Sequence, residues 1–200
     1  MDAAGWDRRY AASELVWSAG PNRFVAAELA GLPPGRALDL AAGEGRNALW
    51  LAGRGWSVTA VDFSSVALDK GRRIAERDGL TVHWVHADLL DYQLTPAGFD
   101  AVLIAYLHLP PAELGTVLRS AARAVAPGGV LLVVGHDLRN LTEGVGGPSD
   151  PTLLYTPELL VAHLDGLRVE RAGRVHRPVD DDPDARVAID TLVRASRPPA

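Results

Sequence analysis

The sequence predicts an α/β fold in which a doubly wound parallel sheet carries helices on both faces. Short apolar segments rich in β-branched residues recur along the chain, and segments with a helical apolar period separate them at strand–helix–strand spacing. A third observation concerns residues 36–48, where a buried strand breaks at two glycines and a helical pattern follows at once. Alternating strands and helices favour a parallel sheet with both faces covered.

Composition is that of one globular domain: 200 residues, 48% hydrophobic and 22% charged. The formal net charge of −5 argues against a bulk affinity for nucleic acid and favours small-molecule partners. The absence of cysteine excludes disulfides and thiolate metal sites. No signal-peptide core and no bilayer-length apolar run is present, so we expect a cytoplasmic protein that does not enter a membrane. We expect it to be a monomer or a homodimer. The single domain (1–200) divides into a helical N-terminal segment (1–35) and a sheet core (36–200).

The N-terminal segment is expected to form two short helices ahead of the first strand. Trp6, Tyr10 and Trp17 stand among charged residues of the first part, and Asn22 opens the second. Aromatic residues at such spacing usually pack in a core. The second interpretation is a lid over a ligand, in which the three rings contact the substrate and Asn22 supplies a hydrogen bond.

Strands and helices then alternate along the central part of the chain. Ser64 or Ser65 is expected to cap one helix, because its hydroxyl can accept from a free backbone N–H. Pro110-Pro111 suits the first turn of another helix, which Pro127-Gly128-Gly129 is expected to end. The expected strands are the segment before Gly43, then 57–62, 81–87, 99–106 and 130–135.

The C-terminal part differs in character. Residues 138–155 are polar and rich in glycine, and a loop of this length is usually functional or mobile, so we expect it to wall the substrate site. Thr156-Pro157 predicts a helix start, with the helix running to about Asp165. Segments 167–177 and 185–195 alternate as an antiparallel pair. Their acidic turn, 180–184, is usually only solvated, with a divalent-ion site as the alternative.

The glycine turn at residues 43–45 predicts a nucleotide-like ligand. Glycine permits positive φ and close approach of a ligand, and the free N–H groups of the following helix face the same space. A packed turn without any ligand is the alternative. Residues 43–48 also match the G-x-G-x-x-A pattern of dinucleotide folds, with Asp62 near the position of their ribose acid.

Four motifs in order resemble those of class I S-adenosylmethionine-dependent methyltransferases. Asp39 followed by Ala41-Ala-Gly43-Glu-Gly45 resembles motif I, with Ala41 in place of the family's first glycine. The Gly-Glu-Gly-Arg-Asn string and the aromatic-rich start are most similar to small-molecule methyltransferases of the tellurite-resistance and thiopurine type. The other motifs are Val61-Asp62-Phe63-Ser64, His86-Ala87-Asp88-Leu89 and Pro127-Gly128-Gly129, so that the resemblance spans residues 36–136.

This resemblance implies an enzyme with a Rossmann-like seven-stranded sheet of order 3-2-1-4-5-7-6, the last strand antiparallel. It implies S-adenosylmethionine as the cofactor and S-adenosylhomocysteine as its product. In the family, the acid at Asp62 accepts from both ribose hydroxyls, Phe63 packs on adenine and Asp88 meets the adenine amino group. The implied cofactor contacts are Asp39, Ala41, Gly43, Gly45, Arg46, Asn47, Asp62, Phe63, Ala87, Asp88, Leu89 and Ala105.

Substrate-side candidates must follow the carboxyl ends of the strands, where open α/β sheets bind ligands. Tyr106 and His108 follow the fourth strand, and His136, Asp137 and Asn140 follow the fifth. His136 is our first choice for a catalytic base, with His108 the second; a histidine that only shapes the loop is the alternative.

No metal is expected, because His83 and His86 stand three apart on a strand and point to opposite faces. Two other functions compete with methyl transfer to an O, N or S atom of a small molecule. A nicotinamide-dependent oxidoreductase is disfavoured, since no Tyr-x-x-x-Lys pair occurs and the single lysine, Lys70, is expected on a helix surface. A non-catalytic nucleotide-binding module stays open, because a fold does not imply activity.

Overall fold

The computed structural model describes residues 2–17, 19–179 and 186–200, so the acidic turn at 180–184 lies outside the described residues. Its strands form one seven-stranded sheet, and the predicted order β3-β2-β1-β4-β5-β7-β6 is confirmed. Strand β7 runs antiparallel to both of its neighbours, while the other pairings are parallel. The strands are β1 (Arg36–Leu40), β2 (Ser57–Asp62), β3 (Val82–His86), β4 (Phe99–Ala105), β5 (Val125–His136), β6 (Arg168–Pro178) and β7 (Val187–Ser196).

Helices connect these strands, and their starts follow from local capping. Asn22 accepts from the amides of Phe24 and Val25, and Ser64 from the amide of Ala67, which satisfies N–H groups that a helix start leaves free. The helices are α1 (Ala3–Ala11), α2 (Arg23–Leu29), α3 (Arg46–Ala52), α4 (Ser65–Arg77), α5 (Pro111–Ala124), α6 (Asn140–Glu143) and α7 (Pro157–Val161), with a 3-10 turn at Pro151–Leu153.

The core occupies both faces of the sheet. Along β5, Leu131 packs with Leu118 of α5, whereas Leu132 points to the opposite face and packs with Leu51 of α3. Successive strand residues alternate between faces, so an uninterrupted apolar strand requires a helical layer on each side. In the described part of the chain, no helix is long and apolar enough to cross a membrane.

Three expected boundaries were wrong: the end of α5, the start of β5 and the end of α7. Helix α5 ends at Ala124 and β5 begins at Val125, five residues earlier than expected. Segment 127–129 does not end the helix; it forms an irregular part of β5, where Gly128 takes φ +78° and its N–H donates to the Arg197 carbonyl. A backbone pairing with the distant C-terminus therefore overrides the local turn signal. Helix α7 likewise ends at Val161, earlier than the expected Asp165.

Candidate active site

The glycine turn between β1 and α3 is built from left-handed backbone positions. Gly43 has φ +57° and Gly45 has φ +79°, as the sequence predicted, and Ala41 takes φ +56°. Alanine in this region costs about 1–2 kcal/mol relative to its right-handed conformation. Asp62 at the end of β2 holds the turn, because its two carboxylate oxygens accept from the N–H groups of Gly43 and Ser64, both at 2.8 Å.

Aromatic rings occupy the space that the two glycines leave open. A Cβ at Gly43 would lie 2.6 Å from the Tyr10 hydroxyl, and one at Gly45 would lie 2.7 Å from Cζ3 of Trp84. Burial raises the pKa of Tyr10 to about 12, so this phenol is neutral at physiological pH. Glycine is therefore needed here for close packing as well as for the turn.

The N-terminal segment is fastened to the turn through Glu44, which stands between the two glycines. The Glu44 carboxylate is buried and accepts from the N–H groups of Val16 and Trp17. Lys70 of α4 lies 3.1 Å from Glu44 and donates to the Tyr10 and Ser13 carbonyls. The expectation that Lys70 lies on a helix surface was wrong, since only 17% of its side chain is exposed.

Replacing Lys70 tests whether it holds the N-terminal segment on the glycine turn. In Lys70→Met, hydrogen–deuterium exchange at the Val16 and Trp17 amides is expected to be about tenfold faster or more, because hydrogen bonds to charged groups contribute about 1.5–3 kcal/mol each. The matched control is Arg72→Met on the same helix, where an exposed ion pair with Asp69 is lost instead. Equal exchange in both variants would mean that the lysine does not hold the segment.

The carboxylate of Asp39 in β1 is buried, and its hydrogen-bonding capacity is not fully used by the described residues. Neither of its oxygens accepts a hydrogen bond of good geometry from any residue that the structure describes. Burial raises its pKa to about 7, which the Ala48 amide and the Arg46 guanidinium only partly oppose. A ligand carrying a cationic or donor group fits this end of the turn, and the amino group of an amino-acid moiety is such a group.

A cavity of about 470 Å³ opens at the carboxyl ends of β2 and β3. This volume is within the usual range of ligand clefts, roughly 300–1,000 Å³. Phe63 supplies an apolar wall and Asp88 an exposed carboxylate, which suits the base of a nucleoside. Its lining comprises Asp2, Ala3, Phe63, His86, Ala87, Asp88, Leu90, Leu109 and Glu113.

On the other side of β1, three rings cluster where β4 and β5 end. The ring of His136 lies 5.1 Å from that of Tyr106 and 5.5 Å from that of His108, between ring centroids. The Nδ1 atom of His108 lies 2.7 Å from the Leu153 carbonyl and therefore donates to it. Burial lowers the pKa of His108 to about 4, so this imidazole is neutral at pH 7.

Two residues of this cluster, Asp190 and Arg177, were missed by sequence reasoning. The Asp190 carboxylate is fully buried, and its Oδ2 accepts from the Tyr106 hydroxyl at 2.7 Å and from Nε of Arg177 at 2.9 Å. Its Oδ1 lies 3.3 Å from Nδ1 of His136. An acid followed by a threonine within the mostly apolar segment 187–193 was the available signal, because buried acids are rare unless paired.

A chain of hydrogen bonds joins the glycine turn to this cluster. Asn47, the second residue of α3, accepts from the backbone N–H of Asn22, whose side-chain nitrogen lies 3.4 Å from the Tyr106 hydroxyl. Tyr106 itself takes φ +61°, a conformation that is strained for a residue with a side chain. Burial lowers the pKa of Arg46, and the charges of Tyr106 and Asp39 oppose this shift.

The remaining candidates take different positions. Tyr10 and Trp17 lie over the glycine turn, and Trp6 packs on both of them, so all three rings cluster at this turn. The Asn140 side chain donates to the Val145 and Gly146 carbonyls and accepts from the Ile189 amide, so it ties the glycine-rich loop to β7. Its predicted contact with substrate stays a prediction.

Comparison with known proteins agrees with this architecture. A family model described as a methyltransferase domain matches residues 37–129. A demethylmenaquinone methyltransferase of Mycobacterium sp. (strain KMS) is 32% identical over 192 residues, which cover 94% of this chain and 74% of that protein. The demethylmenaquinone methyltransferase of Thermus thermophilus is 41% identical over 103 residues, 50% of this chain and 47% of the relative. The chain thus spans about half the length of this second relative.

A solved structure described as "Conversion of a Disulfide Bond into a Thioacetal Group during Echinomycin Biosynthesis" is similar throughout. It shares 26% identity, covers 98% of this chain and 93% of its own, and superposes with a TM-score of 0.79. The sheet order, the glycine turn and the acids at the strand ends define a Rossmann-like methyltransferase fold. The chain belongs to the class I S-adenosylmethionine-dependent methyltransferase family, as the four motifs indicated.

Proposed function

We propose that this protein transfers a methyl group from S-adenosylmethionine to a nucleophilic O, N or S atom of a small molecule. One observation carries the proposal: the glycine turn with its acids and the ring cluster of Tyr106, His108 and His136 lie at neighbouring strand ends. The hydrogen bonds through Asn22 join the two. A donor and an acceptor bound on either side would therefore meet at the carboxyl end of β4.

On the cofactor side, the amino-acid end is assigned to Asp39 and the glycine turn. Asp62 retains acceptor capacity for the ribose, since a carboxylate offers about four acceptor sites and the backbone amides of Gly43, Ser64 and Phe63 use one each at most. The adenine base is assigned to the cavity beside Phe63 and Asp88. The residue types at each end match the charge and polarity of the group assigned to them.

Methyl transfer from a sulfonium is an in-line displacement, so the protein's main tasks are to align the reacting atoms and to exclude water. The N-terminal segment, fastened by Glu44 and Lys70, covers the cofactor turn. The loop at 138–155 is tied down by Asn140 and packs His108 against the Leu153 carbonyl. We assign these two segments as the walls of the reaction site.

Calorimetric titration with S-adenosylmethionine, S-adenosylhomocysteine and NAD tests the cofactor. We expect the two sulfur compounds to bind and NAD to give no heat; binding of NAD alone would overturn the proposal. Release of S-adenosylhomocysteine is then measured against thiols, phenols, hydroxyquinolines, oxyanions and a reduced demethylmenaquinone analogue. The last probe is included because two relatives are named for that substrate. Cofactor binding without turnover on any acceptor would favour a non-catalytic module.

A further inference from the structure

Asp190 and His136 are brought together by the backbone of the sheet. The two residues are register partners in the antiparallel pair of β5 and β7, so their side chains leave the same face of adjacent strands. Asp190 Oδ1 lies 3.3 Å from His136 Nδ1, a contact whose geometry falls short of a hydrogen bond, and neither atom has a hydrogen-bond partner among the described residues. The contact is therefore held by strand pairing rather than by a mobile loop.

The partners of Asp190 keep it ionised although it is buried. Burial raises its pKa, but the contacts with His136, Arg177 and Tyr106 outweigh burial and leave the pKa below its ordinary value. Tyr106 in turn keeps its proton, since burial and the neighbouring carboxylate raise its pKa. The cluster thus contains one fixed negative charge that faces the imidazole of His136.

A carboxylate at Nδ1 determines which nitrogen of His136 is basic. It favours the tautomer with a proton on Nδ1, which leaves the lone pair on Nε2 at the other side of the ring. Nδ1 is buried while 14% of the side chain is exposed, so the exposed part of the ring lies away from Asp190. His108 has no such carboxylate at its Nδ1, which donates to the Leu153 carbonyl instead.

We propose that Asp190 is the positioning residue for His136, and that the methyl acceptor is a hydroxyl compound that loses its proton to Nε2 of His136. This inference rests on the proposed methyl transfer. The hydroxyl oxygen forms the bond to the methyl carbon, and the carbon–sulfur bond breaks with its electron pair passing to sulfur. The hydroxyl proton moves to His136, so the positive charge of the sulfonium becomes that of an imidazolium, which Asp190 stabilises.

The chemistry of the acceptor atom is what makes a hydroxyl the best match. A thiol ionises near pH 8.5 and supplies a thiolate without much help, and a nitrogen heterocycle already carries a free lone pair. A phenol ionises near pH 10 and is a weak nucleophile until its proton is removed. A histidine oriented by a buried carboxylate is therefore useful chiefly for a hydroxyl, as in the general logic of base-activated nucleophiles.

The substitution Asp190→Asn tests whether Asp190 positions His136 for the reaction or only stabilises the fold. The acceptors are catechol, 8-hydroxyquinoline and thiophenol, with release of S-adenosylhomocysteine as the readout. For the two hydroxyl compounds, we expect kcat to fall about 100-fold with little change in KM, because a positioned base contributes about 10²- to 10⁴-fold. Thiophenol turnover is expected to be nearly unaffected. The control, Asp69→Asn, removes an exposed carboxylate of α4 and should leave every rate unchanged.

Nitrogen-15 NMR of the histidine rings gives a readout that does not depend on turnover. His136 of the unaltered protein is expected to carry its proton on Nδ1, and that tautomer should lose population in Asp190→Asn. A proton on Nε2 in the unaltered protein overturns the proposal, even if the variant fails to fold or no acceptor reacts. Turnover of thiophenol alone, or an equal loss of kcat on all acceptors, also overturns it. Failure of S-adenosylmethionine to bind at all would instead contradict the proposed function.

Discussion

His136→Ala is expected to lower kcat for S-adenosylhomocysteine release by about 10²- to 10⁴-fold while the affinity for S-adenosylmethionine is unchanged. The ring lies at the end of β5, apart from the acids and the glycine turn assigned to the cofactor. Its removal takes away the proton acceptor and leaves the cofactor contacts in place. Steady-state kinetics on the best acceptor of the panel, together with calorimetry, measure the two quantities separately.

His83→Ala is the matched control, because it removes an exposed imidazole of β3 on a different part of the surface. It should change neither quantity. His108→Ala is the second variant, since His108 stacks on His136 and its Nε2 is buried without a partner among the described residues. If both His136→Ala and His108→Ala turn over at the unaltered rate with cofactor binding intact, neither histidine takes part in the reaction.

The glycine turn and the positions of the acids near it could be predicted from the sequence because these parts are local. Asp39 lies next to the last residue of β1, Asp62 ends β2 and Asp88 follows β3, and parallel strands bring their carboxyl ends to one edge of the sheet. Glycine is the residue type that takes positive φ without strain, and both glycines of the turn take the positive φ that such a turn needs. Each of these features depends on a short window of neighbouring residues, which is the range over which pattern and propensity are informative.

The substrate side could not be predicted to the same extent, because distant pairings assemble it. The Tyr106 hydroxyl contacts Asn22 and Asp190, each 84 positions away, and Arg177 comes from an edge strand. Which residue of β7 faces His136 depends on strand register, and a shift by one residue would turn Asp190 to the other face. The apolar pattern within one strand does not determine the register of that strand against its neighbour.

The same limit applies to the N-terminal segment. Its aromatic residues could be recognised, but their contact with the glycine turn depends on Glu44 and on Lys70, which stands 26 positions further along the chain. A lysine among the charges of α4 looks like part of a solvated face. Only the fold reveals that its ammonium group is turned inward toward two backbone carbonyls.

Asp62→Ala is expected to weaken S-adenosylmethionine binding by about 100-fold or more. Two hydrogen bonds from ribose hydroxyls to a carboxylate contribute about 1.5–3 kcal/mol each, and every 1.4 kcal/mol is about tenfold in affinity. The same change also leaves the Gly43 and Ser64 amides without their acceptor, which loosens the glycine turn. Calorimetry below the melting transition, with circular dichroism as a check on folding, measures the effect.

Asp69→Ala is the matched control for this substitution, because it removes a carboxylate whose exposed ion pair with Arg72 contributes little. Its affinity for S-adenosylmethionine should equal that of the unaltered protein. The buried position of Asp62 makes the comparison informative, since only 5% of the residue is exposed and its carboxylate accepts from the Gly43 and Ser64 amides. If Asp62→Ala folds and binds the cofactor as tightly as Asp69→Ala, the nucleoside end is held elsewhere, and the glycine turn then serves only to join β1 to α3.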